Sequence, residues 1–190
     1  MFALSGWDLT GSLTLPADEV RHLISSGDTR WIERGAHDLL DVAPEAASSV
    51  SGMPRARSLY GSLGDQQADP ESFLSGLRDV LRIRGEHGIA IASQVDIPQV
   101  GHPSMLVLVH RLDGGDRRAD DAPLQITVLN FSGETIEGTV RSEYLVPQST
   151  AVDAATREVV GRVDELQSFS LELGPYAGLF LLLEAPESDD

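Results

Sequence analysis

Apolar positions follow two different rhythms along this chain, and the change of rhythm divides it. From about residue 94 to 184 they recur at every second position. Residues 105–112, 124–131, 135–140, 168–173 and 178–184 read as strands, with weaker ones near Val95 and over 150–153. The breaks are Asp113-Gly114-Gly115-Asp116, Ser132-Gly133-Glu134 and Gly174-Pro175-Tyr176. Short strands, turn residues and no intervening helix predict an antiparallel sandwich. Ahead of it, residues 69–88 keep a helical period, with Phe73, Leu74, Leu77, Val80 and Leu81 on one stripe. Asp69 is the expected N-cap, Pro70 the first helical residue and Gly88 the left-handed stop. Residues 1–63 are broken by glycine and proline throughout. Only the stretch from Pro16 to Gly27 has a helical start, with Val20, Leu23 and Ile24 on one face. One short helix is too little to give sixty residues a core, so this part reads as a long loop meant to lie on another surface.

Charge and composition remove whole classes of function. The chain has 190 residues, 30 acidic against 14 basic side chains, and a net charge of -16. Nucleic acid is not an expected partner, because no basic footprint exists to displace counterions from phosphates. An anionic membrane surface is disfavoured for the same reason. Every basic residue is Arg, which excludes lysine Schiff bases and a P-loop lysine. With no Cys there are no disulfides, thiolate nucleophiles or cysteine-bound metals. The five His form no H-x-x-x-H pair, and neither a metal nor a cofactor is expected. The start lacks a signal-like stretch and the longest apolar run, 179–183, is far below a membrane span, so a cytoplasmic protein is expected.

Spacing offers little catalytic chemistry. Asp113, Asp116, Asp120 and Asp121 read as a solvated hairpin loop before they read as a calcium site. Asn130-Phe131-Ser132 matches a glycosylation pattern but reads more simply as a strand end. The informative residues are Gly6-Trp7-Asp8-Leu9 and Gly27-Asp28-Thr29-Arg30-Trp31-Ile32-Glu33-Arg34-Gly35. Trp with Asp, Arg and Glu is a combination suited to sugars, since the ring stacks on a pyranose face while charged groups bond its hydroxyls. A packing reading fits equally: both Trp lie against another body, and Asp28 to Arg30 is a turn with an ion pair.

Three dense motifs carry a family resemblance. They are Phe2-Ala3-Leu4-Ser5-Gly6-Trp7-Asp8-Leu9, then Gly27-Asp28-Thr29-Arg30-Trp31-Ile32 with Arg34-Gly35, then Ala56-Arg57-Ser58-Leu59-Tyr60-Gly61-Ser62-Leu63. In this order they closely resemble the C-terminal part of bacterial trehalose synthase, a maltose α-D-glucosyltransferase and isomerase of the α-amylase superfamily, glycoside hydrolase family 13. Residues 106–110, Leu129-Asn130-Phe131-Ser132, Pro175-Tyr176 and Gly178-Leu179 extend the likeness. It implies an α+β fragment: the last strand (2–4), long active-site loop (7–63) and closing helix (69–88) of a (β/α)8 barrel, followed by a C-terminal antiparallel β-sandwich. The corresponding domains are 1–90 and 91–184, with an acidic tail over 185–190.

The resemblance further implies conversion of maltose to trehalose by a retaining double displacement, with two carboxyls ~5 to 5.5 Å apart. In the family these groups lie on earlier barrel strands, so the chain is expected to hold no catalytic residue and to be inactive alone. Trp7, Asp8, Arg30 and Trp31 become the expected sugar contacts, with maltose or trehalose as ligand and the missing barrel as partner. A second expectation, of another class, is a non-catalytic β-sandwich module that binds α-glucan or docks on a protein. An exposed aromatic pair on the sandwich, drawn from Phe131, Tyr144, Phe169, Tyr176 and Phe180, would favour it.

Overall fold

Alternating apolar positions place the second half of the chain in two antiparallel sheets. The computed structural model describes residues 10–24, 27–33, 35–112 and 123–185. The expected barrel strand at 2–4, Trp7, Asp8, the acidic loop carrying Asp113 to Asp121 and residues 186–190 lie outside the described residues. The chain divides into two compact units, Met1–Leu81 and Arg82–Asp190.

In the second unit the strands are β1 (Ser93–Asp96), β2 (Gln99–Val100), β3 (Met105–Arg111), β4 (Leu124–Asn130), β5 (Ile136–Arg141), β6 (Thr150–Asp153), β7 (Val159–Arg162), β8 (Ser168–Leu173) and β9 (Gly178–Glu184). They form a six-stranded sheet, β1-β3-β4-β9-β6-β7, and a three-stranded sheet, β2-β5-β8, with antiparallel pairing throughout. The period of two is directly visible in β5, where Ile136, Gly138 and Val140 are buried and the residues between them exposed. Val107, Val109, Ile126, Val128 and Leu181 of one sheet share a core with Ile136, Val140, Phe169, Leu171 and Leu173 of the other. This is the sandwich that the sequence predicts. β2 and β7 have no counterpart in the sequence reading. The first has only two residues beside Pro98, and the second is interrupted by Gly161, so neither is long enough to show alternation.

The first unit contains a helical turn α1 (Arg21–Ile24), a 3₁₀ turn at Thr29–Glu33 and a helix α2 (Leu63–Ala68). The expectation of a coreless loop needs correction. Leu15, Val20 and Ala56 are buried together, with Leu23, Ile24, Trp31, Ile32 and Met53 around them. Residues far apart in sequence meet because short backbone pairings tie them: Leu15 N–H donates to Ile32 C=O (2.6 Å), and Ala56 N–H to Ala36 C=O (3.0 Å). Gly35 permits this approach, since a Cβ there would lie 2.6 Å from the Ala56 Cβ. The core remains small. Leu13, Leu40, Val42, Val50, Leu59 and Tyr60 stay exposed.

The main helix, α3, runs Phe73–Glu86 and spans the division between the units. Its start differs from the expected one. Asp69 closes α2 through its own N–H to Asp65 C=O (3.2 Å), and Pro70 keeps Asp69 extended at φ -101°, ψ 114°. Ser72 begins α3 instead, its Oγ accepting from Ser75 N–H (3.2 Å) and its C=O from Gly76 N–H (2.9 Å). At the other end Gly88 adopts φ 66°, the expected left-handed stop. The predicted stripe stays largely open: Phe73 and Val80 are exposed, while Leu74, Leu77 and Leu81 line an apolar groove of about 310 Å³ with Gln67.

Candidate functional site

A cleft in the first unit, about 720 Å³, is built from three loop segments that converge on α2. Ser12, His37, Asp38, Arg55, Ser58 and Asp65 supply most of its polar groups. Ser12 pairs with Ser58 in an antiparallel bridge, and Ala36 with Arg55 in a parallel one, so the three segments are held in register. Gln66, 1% exposed, is the anchor beneath. Its Nε2 donates to Thr10 C=O (3.1 Å) and Gly61 C=O (3.3 Å), and its Oε1 accepts from Leu74 N–H (3.2 Å). α2 itself begins with a capping pair: Ser62 Oγ accepts from Asp65 N–H (3.2 Å) and donates to Asp65 Oδ2 (2.8 Å).

One wall is fixed by Asp38 and Arg55. The Asp38 carboxylate accepts from Val42 N–H (2.9 Å) and Ala43 N–H (2.7 Å). Arg55 NH1 donates to Ala43 C=O (2.8 Å) and Pro44 C=O (2.6 Å), while its NH2 lies 3.6 Å from Asp38. Hydrogen bonds from Ala43 and Val42, aided by the nearby guanidinium and opposed by partial burial, hold the Asp38 carboxyl below its ordinary pKa. Burial lowers that of His37, whose Nδ1 lies 3.4 Å from Ser12 Oγ. The cleft therefore presents the His37 imidazole, the carboxylates of Glu19, Asp38, Asp41 and Asp65, the guanidinium groups of Arg55 and Arg57, and several hydroxyls. Such a mixture suits a ligand rich in hydroxyl groups.

Of the sequence-derived sugar contacts, the structure places Arg30 and Trp31 side by side on the 3₁₀ turn but directs them differently. Arg30 is bidentate to Asp28, Nε to Oδ1 at 2.7 Å and NH2 to Oδ2 at 2.8 Å, with 70% of its side chain exposed. That hydrogen-bonded pair raises the guanidinium pKa further. Trp31 is half-buried against the Leu15, Val20 and Ala56 cluster. Neither residue lines the large cleft. Sequence reading had not singled out His37, Asp38, Arg55 or Gln66 for the site. The Ser62-x-x-Asp65 capping pattern was the available signal for α2, whereas nothing local marks Asp38 and Arg55 as neighbours.

The sandwich shows a different feature. Among the aromatic candidates Phe169 is buried, Tyr144 and Phe180 are partly buried, and Phe131 and Tyr176 are exposed. The glycosylation pattern is closed off in this fold: Asn130 is 3% exposed and both ends of its amide are engaged. No group of three or more metal-ligating side chains exists among the described residues, and no helix among them is long and apolar enough to cross a membrane.

No protein-family model matches the chain, and no curated protein matches it in sequence. Solved structures are similar in fold. An α-amylase from Geobacillus thermoleovorans, complexed with acarbose, has a TM-score of 0.50 at 16% identity, over 73% of this chain and 27% of that chain. A noncanonic maltogenic α-amylase from Thermotoga neapolitana gives 0.47 at 13% identity, over 62% and 26%. A GH27 β-L-arabinopyranosidase from Geobacillus stearothermophilus gives 0.38 at 19% identity, over 52% and 20%. The chain thus spans between 20% and 27% of the length of these three. In the first comparison the 73% exceeds what Arg82–Asp190 alone contains, so the likeness takes in residues of the first unit as well. At such identity the likeness is one of fold alone: the β-sandwich-bearing chain is similar in fold to part of the Geobacillus thermoleovorans α-amylase.

Proposed function

We propose that this chain acts as the C-terminal part of a trehalose synthase, an α-amylase-superfamily enzyme that isomerises maltose to trehalose through a covalent glucosyl intermediate. The observation that carries this reading is the asymmetry between the two units. Both units expose apolar side chains, but the sandwich gathers a large buried core, whereas the first unit buries only a small cluster around Leu15, Val20 and Ala56 and leaves Leu13, Leu40, Val42, Leu59, Phe73 and Val80 exposed. Apolar surface of that kind gains about 25 cal/mol per Å² when covered, and a catalytic barrel is the partner that the sequence motifs point to.

On this reading the barrel brings the nucleophile and the acid/base carboxyl, while the loop from Trp7 to Arg34 helps wall the sugar site. Its task is to bind hydroxyls and exclude water, since water would divert the glucosyl-enzyme to free glucose. Trp7, Asp8, Arg30 and Trp31 are the proposed sugar contacts. The Asp28 carboxylate holds Arg30 in one rotamer, so that little order is lost when a sugar hydroxyl is bound. The 190-residue chain should convert maltose to neither trehalose nor glucose; turnover by this chain alone would overturn the reading. In the enzyme comprising both barrel and this chain, Arg30→Ala should raise the glucose by-product or the apparent KM several-fold. Unchanged kinetics and product ratio would remove Arg30 from the site.

A further inference from the structure

We propose that the cleft of the first unit is a second binding site, separate from the Arg30 and Trp31 pair, and that it takes a small neutral polyhydroxylated ligand of disaccharide size. Most charged groups in its lining are committed to the wall itself. Asp38 accepts from Val42 and Ala43 N–H, Arg55 donates to Ala43 and Pro44 C=O, and Asp65 Oδ2 accepts from Ser62 Oγ (2.8 Å). Arg57 and Glu19 differ. Both are exposed and line the cleft, yet among the described residues neither the guanidinium nor the carboxylate makes a hydrogen bond or ion pair. Opposite charges that share one cleft without meeting leave a strong donor and a strong acceptor open to a ligand.

The backbone that carries them is held in place. Leu13 N–H donates to Arg57 C=O (2.7 Å), and the Ser12–Ser58 bridge ties the same two segments. Glu19 N–H donates to Pro16 C=O (3.1 Å), and the next residue, Val20, is fully buried. A ligand therefore has two side chains to order rather than two loops, which limits the entropy lost on binding.

Charge decides the class of ligand. Glu19, Asp38, Asp41 and Asp65 outnumber Arg55 and Arg57 in the lining, and the chain carries -16 overall, so an anion is repelled. No three metal-ligating side chains come together among the described residues, which leaves a divalent cation without a ligand set. The lining contains no Trp, Tyr or Phe against which an apolar ring could stack. A hydroxyl-bearing ligand meets all three conditions, because it accepts from Arg57 and donates to Glu19 while Ser12, Ser58 and Ser62 can serve in either role. The volume of about 720 Å³ lies within the roughly 300–1,000 Å³ of small-molecule sites. This site does not rest on the function proposed above, since neither Arg30 nor Trp31 lines it.

The test is titration of the isotope-labelled 190-residue chain with trehalose and with maltose, followed through amide chemical shifts, with lactobionate as an anionic disaccharide of similar size. Saturable shifts are expected at Ser12, Glu19, His37, Arg57 and Ser58 with both neutral sugars and none with lactobionate. Arg57→Gln and Glu19→Gln should each weaken the apparent affinity at least fivefold, whereas Arg30→Ala should leave it unchanged. The two replaced side chains bond nothing within the described chain, so the spectra of these variants should superimpose on wild type away from the substitution, which separates lost binding from lost folding. No saturable shift in the cleft, an equal response to lactobionate, undiminished affinity in both Gln variants, or loss of the cleft shifts in Arg30→Ala would each overturn the proposal. None of these outcomes depends on maltose turnover, so the site and the proposed enzyme fail separately.

Discussion

Asn130 shows how much of this fold can hang on one side chain. Its Nδ2 donates to Glu134 and Gly174, and its Oδ1 accepts from Ser132 N–H and Ser132 Oγ, all at 2.8 Å, within a site almost closed to water. Asn130→Ala leaves carbonyls without a donor where water cannot easily replace it, and should cost about 2–3 kcal/mol, measured by urea unfolding. The near-isosteric Asn130→Asp should be no better at neutral pH, because it aims a carboxylate at the same carbonyls. A loss below 0.5 kcal/mol, roughly the level of a neutral surface change, would show that the two turns are not stapled here. The sequence showed Asn130 as a strand end inside a family-like run. Three of its four bonds are local, to Ser132 and Glu134, whereas the fourth, to Gly174, reaches a turn more than forty residues away that no local pattern contains.

At the level of elements, α3 illustrates both the strength and the limit of local signals. Its period and its Gly88 stop were legible, whereas its first residue was not, since Asp69 and Ser72 are both good caps. Asp69 caps only the turn ahead of the helix, its Oδ1 accepting from Glu71 N–H (2.9 Å) and its C=O from Ser72 N–H (3.2 Å), and Ser72 begins α3. Ser72→Ala should therefore destabilise α3 by about 1 kcal/mol, through loss of the cap to Ser75 and of the Ser72 Oγ donation to Gln66 C=O at 2.6 Å. Circular dichroism at 222 nm with thermal melting would register it. A melting profile identical to wild type would return the cap to Asp69.

Across the whole molecule the two units differ in how much they bury. Sixteen buried apolar residues close the sandwich, and three lie at the centre of the first unit's cluster. Local opening should follow that difference. Native-state amide exchange is expected to be slowest in β3, β4 and β9 and fastest over 35–63, by at least two orders of magnitude. Equal protection in both regions would mean that the first unit is stable in its own right, which would weaken the proposal that it is shaped for a barrel surface.

What the sequence determined by itself is what depends on neighbours along the chain. A period of two over 105–112, 124–131 and 168–173 specifies half-buried strands, because alternate side chains must face opposite sides of a sheet. A 3.6-residue stripe with a glycine stop specifies α3, and the charge with the absence of Lys and Cys removes whole chemistries. Tertiary structure alone decided which residues came together across distance. It grouped Leu15, Val20 and Ala56 into a small core, set Asp38 against Arg55 at the cleft, and turned Trp31 toward packing while Arg30 faces solvent. It also selected Phe131 and Tyr176, out of five aromatic candidates, as the exposed pair. The physical reason is that periodicity reports which side a residue faces, whereas contact between distant segments depends on register, turn geometry and the hydrogen bonds of the intervening backbone.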